Sequence, residues 1–410
     1  MVDTLTVVTP WFPSPAKPPQ GSFVQAAVRA VAGEIGRVEV VHTDEWITPA
    51  GPTGRAVESS YRRYAARAVR PRLQDDGTWL SRVPALVRPR RSWDVHSRTV
   101  SRSLAAARAG RPFESAVVHG HVVLPGGLVA VEHAAAGARV VVTEHASYLA
   151  DVLVEPRARD LYDEVVDRAA ALLCVSAVLR DQVLEVFPHH RAKVHVVPNP
   201  VEMAGPPRPD GPAARPRRWL FVGSLIERKG PVRLLEAFAA SRREEPDLEL
   251  TLLGAGPQRP DVLARVRALG LDHAVHLLDP VAPAEVPQVM ARHDLLVHPS
   301  HHETFGMTPV EAVAVGTPAL VARYPAAVEV LGAIEGLAGG TFPVTEDPSV
   351  ITAAYRRLRD GWDGLDLPRA RSVLARRFGS PAVATALLSQ YTGSPDTPAA
   401  APSREGQGAS

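Results

Sequence analysis

The sequence holds one cysteine, Cys174, so no internal disulfide framework can form. Cys174 sits in the apolar run 169–175 and reads as a small buried core residue rather than a nucleophile. Lysine is almost absent: only Lys17, Lys193 and Lys229 occur, while arginine is plentiful. No apolar run reaches the roughly 18 residues that mark a membrane span. Residues 5–9 already read as a strand, with no basic and apolar leader pattern ahead of them. A secretory signal is therefore not expected, and the cytoplasm is the expected compartment. There is no Gly-x-Gly-x-x-Gly, which counts against a dinucleotide redox enzyme. The net charge of +2 lacks the basic field that general nucleic-acid binding needs.

What is present is a chain of 410 residues, 45% hydrophobic and 22% charged, long enough for two cores. Short apolar runs alternate with amphipathic helical patterns. In the first half, strands fit 4–9, 38–42, 116–119, 139–143, 172–175 and 193–197. Helices fit 22–34, 124–136, 158–169 and 177–187. Runs without strict alternation suit strands buried on both faces, as in a parallel sheet. The stretch 202–217 is rich in proline, glycine and arginine and reads as a linker. A second series then follows, with strands at 219–222, 249–253, 275–278, 295–298 and 319–321. Its helices fit 231–243, 260–269, 283–292 and 309–315.

The expected fold class is thus α/β: two Rossmann-like doubly wound domains facing each other across a cleft. The first spans 1–201 and the second 218–375. Residues 376–392 read as a last helix, and 393–410 read as a disordered tail.

In open parallel sheets, ligands sit at the carboxyl ends of the strands, and the unusual residues fall there. After the first strand, Gly21 permits close backbone approach, and Ser22 with Gln25 fits a capping box opening a helix. That helix mouth is an anion site or an ordinary strand-to-helix turn. His119-Gly120-His121 follows a strand, and His145 ends the next one at an equivalent place. A metal at the histidine pair would need a third ligand cluster, which the sequence does not supply. Gly223 and Gly230 bracket a loop carrying Arg228 and Lys229, cations suited to a diphosphate. The segment 299–311 is the most specific. Glu303 lies in a loop, Thr308 fits an N-cap and Pro309 the first helical position. The amides near Phe305, Gly306 and Met307 then face an open strand end. Glu311 either completes a capping box with Thr308 or accepts bonds from sugar hydroxyls.

Together these residues resemble the family-four glycosyltransferases, a large retaining group with the GT-B fold. Glu303 to Glu311 is similar to that family's Glu-x7-Glu signature. The likeness extends to Gly21, the 119–121 segment, Val197-Pro198-Asn199-Pro200, Arg228-Lys229-Gly230, Gly254 and Gly316-Thr317-Pro318. It implies a hexosyl transfer, with retention and without metal or cofactor, from a nucleotide-sugar donor, most often a UDP-sugar. In that reading Glu303, His121 and Lys229 serve the transferred sugar and the leaving diphosphate. Gly21, Gly223, Arg228, Gly254, Phe305, Gly306, Met307 and Glu311 bind the donor, Glu311 through the ribose diol. Ser224 stands where the family usually carries arginine, which leaves Arg228 as the substitute cation.

The first domain is expected to hold a small hydroxylated acceptor. Its residues 55–111 carry fourteen arginines and four acidic residues. That stretch reads as a solvated basic surface, as a face for an anionic partner, or, at 61–69, as a peripheral membrane contact. The abundance of alanine, proline and arginine suggests an actinobacterial genome. An antibiotic precursor such as an aminocyclitol then fits as acceptor, with a lipid-linked or cell-envelope glycan as the alternative. Other enzymes of the same paired fold, such as a nucleotide-sugar epimerase, and a non-catalytic nucleotide-sugar binder are the competing classes.

Overall fold

The computed structural model describes residues 2–14, 17–48, 51–68, 70–89, 92–203 and 213–394. The tail from 395 onward, and 204–212 within the expected linker, lie outside the described residues.

The first half builds an eight-stranded sheet in the order β3-β4-β2-β1-β5-β6-β7-β8. Its strands are β1 (Thr4–Thr9), β2 (Arg37–Ile47), β3 (Arg72–Leu73), β4 (Trp79–Val87), β5 (Val117–His121), β6 (Arg139–Glu144), β7 (Ala171–Cys174) and β8 (Val194–Val196). All neighbours are parallel except β3, which runs antiparallel to β4. The helices are α1 (Ser22–Ala32), α2 (Pro52–Ala68), α3 (Trp93–Ala107), α4 (Leu128–His133), α5 (Leu149–Leu153), α6 (Pro156–Arg168) and α7 (Ala177–Val186). The middle strands are buried end to end, so no alternation could show in the sequence.

The second half forms a six-stranded, all-parallel sheet in the order β11-β10-β9-β12-β13-β14. These strands are β9 (Arg218–Val222), β10 (Glu249–Leu253), β11 (Val275–Leu278), β12 (Leu295–His298), β13 (Ala319–Ala322) and β14 (Gly339–Phe342). Its helices are α8 (Pro231–Glu244), α9 (Arg259–Ala268), α10 (Val286–Ala291), α11 (Met307–Ala314), α12 (Pro325–Leu331), α13 (Pro348–Asp360) and α14 (Leu367–Phe378).

One last helix, α15 (Ser380–Thr392), returns to the first sheet. There Val383, Leu387 and Tyr391 join Val24, Val28 and Val31 of α1 in one buried cluster. Tyr391 Oη lies 2.8 Å from His119 Nδ1, and Arg139 Nε donates to the Gln390 carbonyl at 2.7 Å. The two crossing segments meet where Val201 N donates to the Phe378 carbonyl at 2.7 Å.

Three local readings are corrected. The helix at 22 has Gly21, not Ser22, as its cap residue, in the left-handed conformation and without a side-chain cap bond. A Cβ at Gly21 would stand 2.2 Å from the Trp11 carbonyl oxygen, so close loop packing requires glycine there. The helix expected at 309 begins at Met307, capped by Gly306 at φ 90°, so Thr308 caps nothing and the capping box with Glu311 does not form. The helix expected over 124–136 is broken: an irregular turn at Val123–Gly127, containing a cis Leu124–Pro125 bond, precedes α4. Among the described residues no helix is long and apolar enough to cross a membrane.

Candidate donor cleft

A cleft of about 640 Å³ opens between the two sheets at the carboxyl ends of their strands, within the size range of small-ligand sites. The first domain contributes Trp11, Gly21, Phe23, His145 and Tyr148. The second contributes Gly223, Lys229, Gly254, Glu303, Phe305, Gly306, Met307 and Glu311. The rims touch directly, since Thr304 Oγ1 donates to the His145 carbonyl at 3.1 Å.

Each second-domain residue is placed by a strand end or a helix mouth. Gly223 and Gly254 end β9 and β10, and a Cβ at Gly254 would stand 1.9 Å from the Gly223 carbonyl oxygen. The two loops can meet only without a side chain at Gly254. Lys229 lies in a short helical turn at Glu227–Lys229, closed by Gly230 at φ 71°. At the mouth of α11, the amides of Met307 and Thr308 have no preceding helical carbonyl to bond and carry the positive end of the helix dipole. Phe305 turns its ring into the core against Phe378, at 5.2 Å between centroids, and leaves its backbone toward the cleft.

Glu303 is the electrostatic centre. Its Oε1 lies 2.5 Å from Lys229 Nζ, 3.3 Å from Arg228 Nη1 and 3.6 Å from His298 Nε2, and it accepts the Ser300 hydroxyl at 2.6 Å. Burial alone would raise its carboxyl. The His298 imidazole and the Lys229 and Arg228 cations outweigh burial and hold it well below the usual carboxylate range. Burial pushes the His298 imidazole down, and its ring nitrogens are buried with no partner nearer than Glu303 among the described residues. Glu311 has the opposite bias: burial, helped by the Glu202 charge, pushes its carboxyl up to about 7.

Two predicted residues stand one layer back. Arg228 does not line the cleft; its guanidinium bonds the His302 carbonyl, and its own carbonyl accepts His301 N at 2.9 Å. It braces the Glu303 loop. His121 is also absent from the cleft wall. Its Nδ1 pairs with His145 Nε2 at 2.9 Å, and His145 occupies the wall instead. Desolvation holds both imidazoles neutral, with His145 near 3. His145 Nδ1 is buried with no hydrogen-bond partner among the described residues. Between the two layers, Val122 holds a positive φ of 65°, a strained setting for a β-branched residue beside the site.

Sequence reasoning placed His145 at a strand end but named no role for it, and it missed His298, Tyr148 and Phe23. Phe23 packs on the His145 ring at 4.6 Å, and Trp11 meets Tyr148 edge-on at 6.2 Å. Aromatic residues at the ends of strands β1 and β6 were the available signal.

The model of the Glycosyltransferase Family 4 domain matches residues 56–204, and that of Glycosyl transferases group 1 matches 208–360. The chain belongs to the family-four glycosyltransferases of GT-B fold. A D-inositol 3-phosphate glycosyltransferase of Kineococcus radiotolerans is 34% identical over 256 residues, 55% of this chain and 58% of its own. A glycogen synthase of Mycobacterium tuberculosis is 29% identical over 238 residues, covering 55% of each chain. The matched region thus spans little more than half the length of these curated relatives. Solved structures extend the fold over the whole chain. Anabaena HepE in complex with UDP and glucose aligns at TM-score 0.67 and 14% identity, over 96% of this chain and all of its own. The sucrose-phosphate synthase of Thermosynechococcus elongatus aligns at 0.71 and 17%, over 96% and 99%. For this family-four chain, the Glu303 to Glu311 segment lies within the stretch matched by the group 1 model.

Proposed function

We propose that this chain is a hexosyltransferase that moves a sugar from a nucleotide diphosphate sugar, preferentially a UDP-sugar, to a hydroxyl of a small acceptor. One observation carries this reading: Lys229, Glu303, Glu311 and the first-turn amides of α11 all open onto one interdomain cleft. A lysine and unpaired amides answer the negative charge that grows on a leaving diphosphate. Glu311, deep in the wall, suits the ribose diol, and Glu303 suits the hydroxyls of the donor sugar. The loops at Gly223 and Gly254, with Pro280, Val281 and Pro283, offer a flat apolar slot for the base. The UDP bound in HepE supports the choice of nucleotide.

Bond breaking at the anomeric carbon leaves negative charge on the phosphate oxygen and positive character on the sugar. No carboxylate is required as a nucleophile if the acceptor hydroxyl attacks from the face the phosphate leaves. The departing phosphate oxygen takes the hydroxyl proton, the new bond forms on that face, and the anomeric configuration is retained. Lys229 and the amides fill the role a metal ion plays in other transferases. Arg228 acts through the loop it braces. The dependence on a nucleotide-sugar pool places the reaction in the cytoplasm. The acceptor is a small polyol of the aminocyclitol size, or the exposed end of an envelope glycan.

A thermal-shift panel of UDP-, GDP-, ADP- and dTDP-sugars tests the donor, because a ligand that binds only the folded state raises the midpoint. Stabilisation by a UDP-sugar above the others is expected. The stereochemistry is read by NMR of the product's anomeric proton. Free epimerised sugar formed without acceptor contradicts the reading.

A further inference from the structure

Helix α7 ends at Val186, and Pro188 opens a tight helical turn at Pro188–His190 that leads into β8. Phe187, between them, is buried and stacks flat on Tyr162 of α6, at 5.5 Å between centroids and 4° between planes. That stack sets the turn against α6 beside Asp163, the residue after Tyr162. Both histidines of the turn reach the same carboxylate oxygen. His189 Nε2 lies 2.9 Å and His190 Nε2 2.7 Å from Asp163 Oδ1, and the two rings stand 4.2 Å apart. None of the three residues lines the donor cleft.

Two imidazole nitrogens and a carboxylate oxygen converging on one point are the donor set of a divalent transition ion. The three atoms lie within 4.8 Å of one another. Zinc bonds of about 2.0–2.1 Å in a tetrahedron set ligand atoms about 3.3 Å apart, so each nitrogen need part from the oxygen by only about half an ångström. The side chains can make that move. His190 is 5% exposed and fixed, whereas Asp163 at 41% and His189 at 58% are free to adjust, and their open side leaves a fourth position to water. The local charge favours a cation. Asp160 and Asp167 stand three residues before and four after Asp163, on its side of α6 by helical spacing. Lys193 is turned to Asp167, so among the described residues neither lysine nor arginine pairs with Asp163. Hydrogen bonding alone would spend two imidazole N–H groups on one oxygen of a half-exposed carboxylate, a weak arrangement in water.

We infer that Asp163, His189 and His190 form a binding site for one divalent ion of the zinc class, outside the donor cleft. The ion ties α6 to the turn ahead of β8. The clip encloses β7 and α7 and ends at β8, the edge strand of the first sheet. Closing so long a segment restricts the unfolded chain, so the ion acts on stability. The inference is independent of the glycosyltransferase reading, since the site shares no residue with the cleft.

The test uses the untagged full chain, stripped with a chelator and titrated calorimetrically with zinc chloride, with cobalt chloride and with magnesium chloride. One zinc per chain is expected to bind and to raise the thermal midpoint. Cobalt should give the visible absorption bands of a low-coordinate ion, and magnesium, which prefers all-oxygen sites, should do neither. Asp163→Asn keeps an oxygen for the two imidazoles but is a poor ligand. It should weaken zinc binding about tenfold or more and remove the zinc-dependent rise in midpoint. His189→Gln, at an exposed position, should do the same and folds even if the first variant does not. UDP affinity should not change with zinc. Failure to bind zinc, binding that ignores both variants, an equal rise in midpoint for parent and variants, or equal binding of magnesium overturns the inference.

Discussion

Lys229 Nζ stands 2.5 Å from Glu303 Oε1 across the floor of the cleft. The lysine reaches it from the loop after β9, the glutamate from the loop after β12. A cation parked on a carboxylate is held in place without a rotamer search.

Removing that cation should act mainly on the chemical step. Lys229→Met is expected to lower kcat by about 10²–10³-fold, the usual effect of deleting one donor to a developing oxyanion. Glu303→Gln should also cripple turnover. The double variant should lose far less than the product of the two, because the residues are in contact. Full additivity in steady-state kinetics would show that the pair does not act together.

The histidines separate into wall and support. His145 faces the cleft and His121 stands behind it. His145→Ala should therefore reduce kcat/KM more than His121→Phe, which keeps the ring volume. Neither imidazole should give a titration in the pH–rate profile between 5 and 8, since desolvation holds both neutral there. A profile that shifts with His121→Phe alone would reverse the assignment.

Glu311 gives the pH dependence a sign. Its folded carboxyl is raised from 4.5 to about 7, so the folded chain holds a proton that the unfolded chain gives up. The associated stability is present below the unfolded value and is lost as pH rises through about 7. Ribose hydroxyls favour the ionised form. UDP binding should strengthen from pH 6 to pH 8, with proton release detectable by calorimetry in buffers of different ionisation enthalpy. Glu311→Gln should flatten both trends, and Glu202→Gln should move the transition to lower pH.

Gly306 is the strain test. It caps α11 at φ 90°, and an added Cβ would stand 2.4 Å from Tyr324 Oη. Gly306→Ala should cost about 1–3 kcal/mol, a typical figure for a forced left-handed residue, and more if Tyr324 cannot move. Chemical denaturation measures it. An unchanged midpoint would mean the helix can start elsewhere, which would also remove the amide site.

A last prediction concerns the domain contact. Glu329 of α12 accepts bonds from Ala177 N at 2.7 Å and Val178 N at 3.1 Å, capping α7 of the other domain. Glu329→Ala should destabilise by about 1 kcal/mol, as loss of an N-cap does. It should also raise the donor KM if closure aligns the cleft. A thermal midpoint equal to that of the parent would show that the contact contributes nothing.

The sequence disclosed the two alternating halves because buried parallel strands are short apolar blocks, as in 219–222 and 295–298. It hid α2, β4 and α3. Pro84 lies inside β4, which argues against a strand; only β2 pairs with this part of β4, so its other edge tolerates proline. β14 was missed because Gly339 and Gly340 open it. The helix starts at Gly21 and Gly306 were misread because Ser22 and Thr308 stand one and two places beyond the glycines, and the side-chain capping rule took precedence over the tight loop contact. The wall of the interdomain cleft was legible through Glu303, Glu311 and Lys229. The layering of His121 behind His145 was not, since two strand ends at equal height look alike in one dimension.

The central claim is that Lys229 and the α11 mouth grip a diphosphate. Calorimetric titration of UDP and of uridine into the parent chain and Lys229→Met tests it most directly. UDP affinity should fall by about tenfold or more in the variant, the scale of one lost charged hydrogen bond, while uridine binds both proteins equally. Equal UDP affinity in the two proteins, or a matching loss for uridine, would contradict the account.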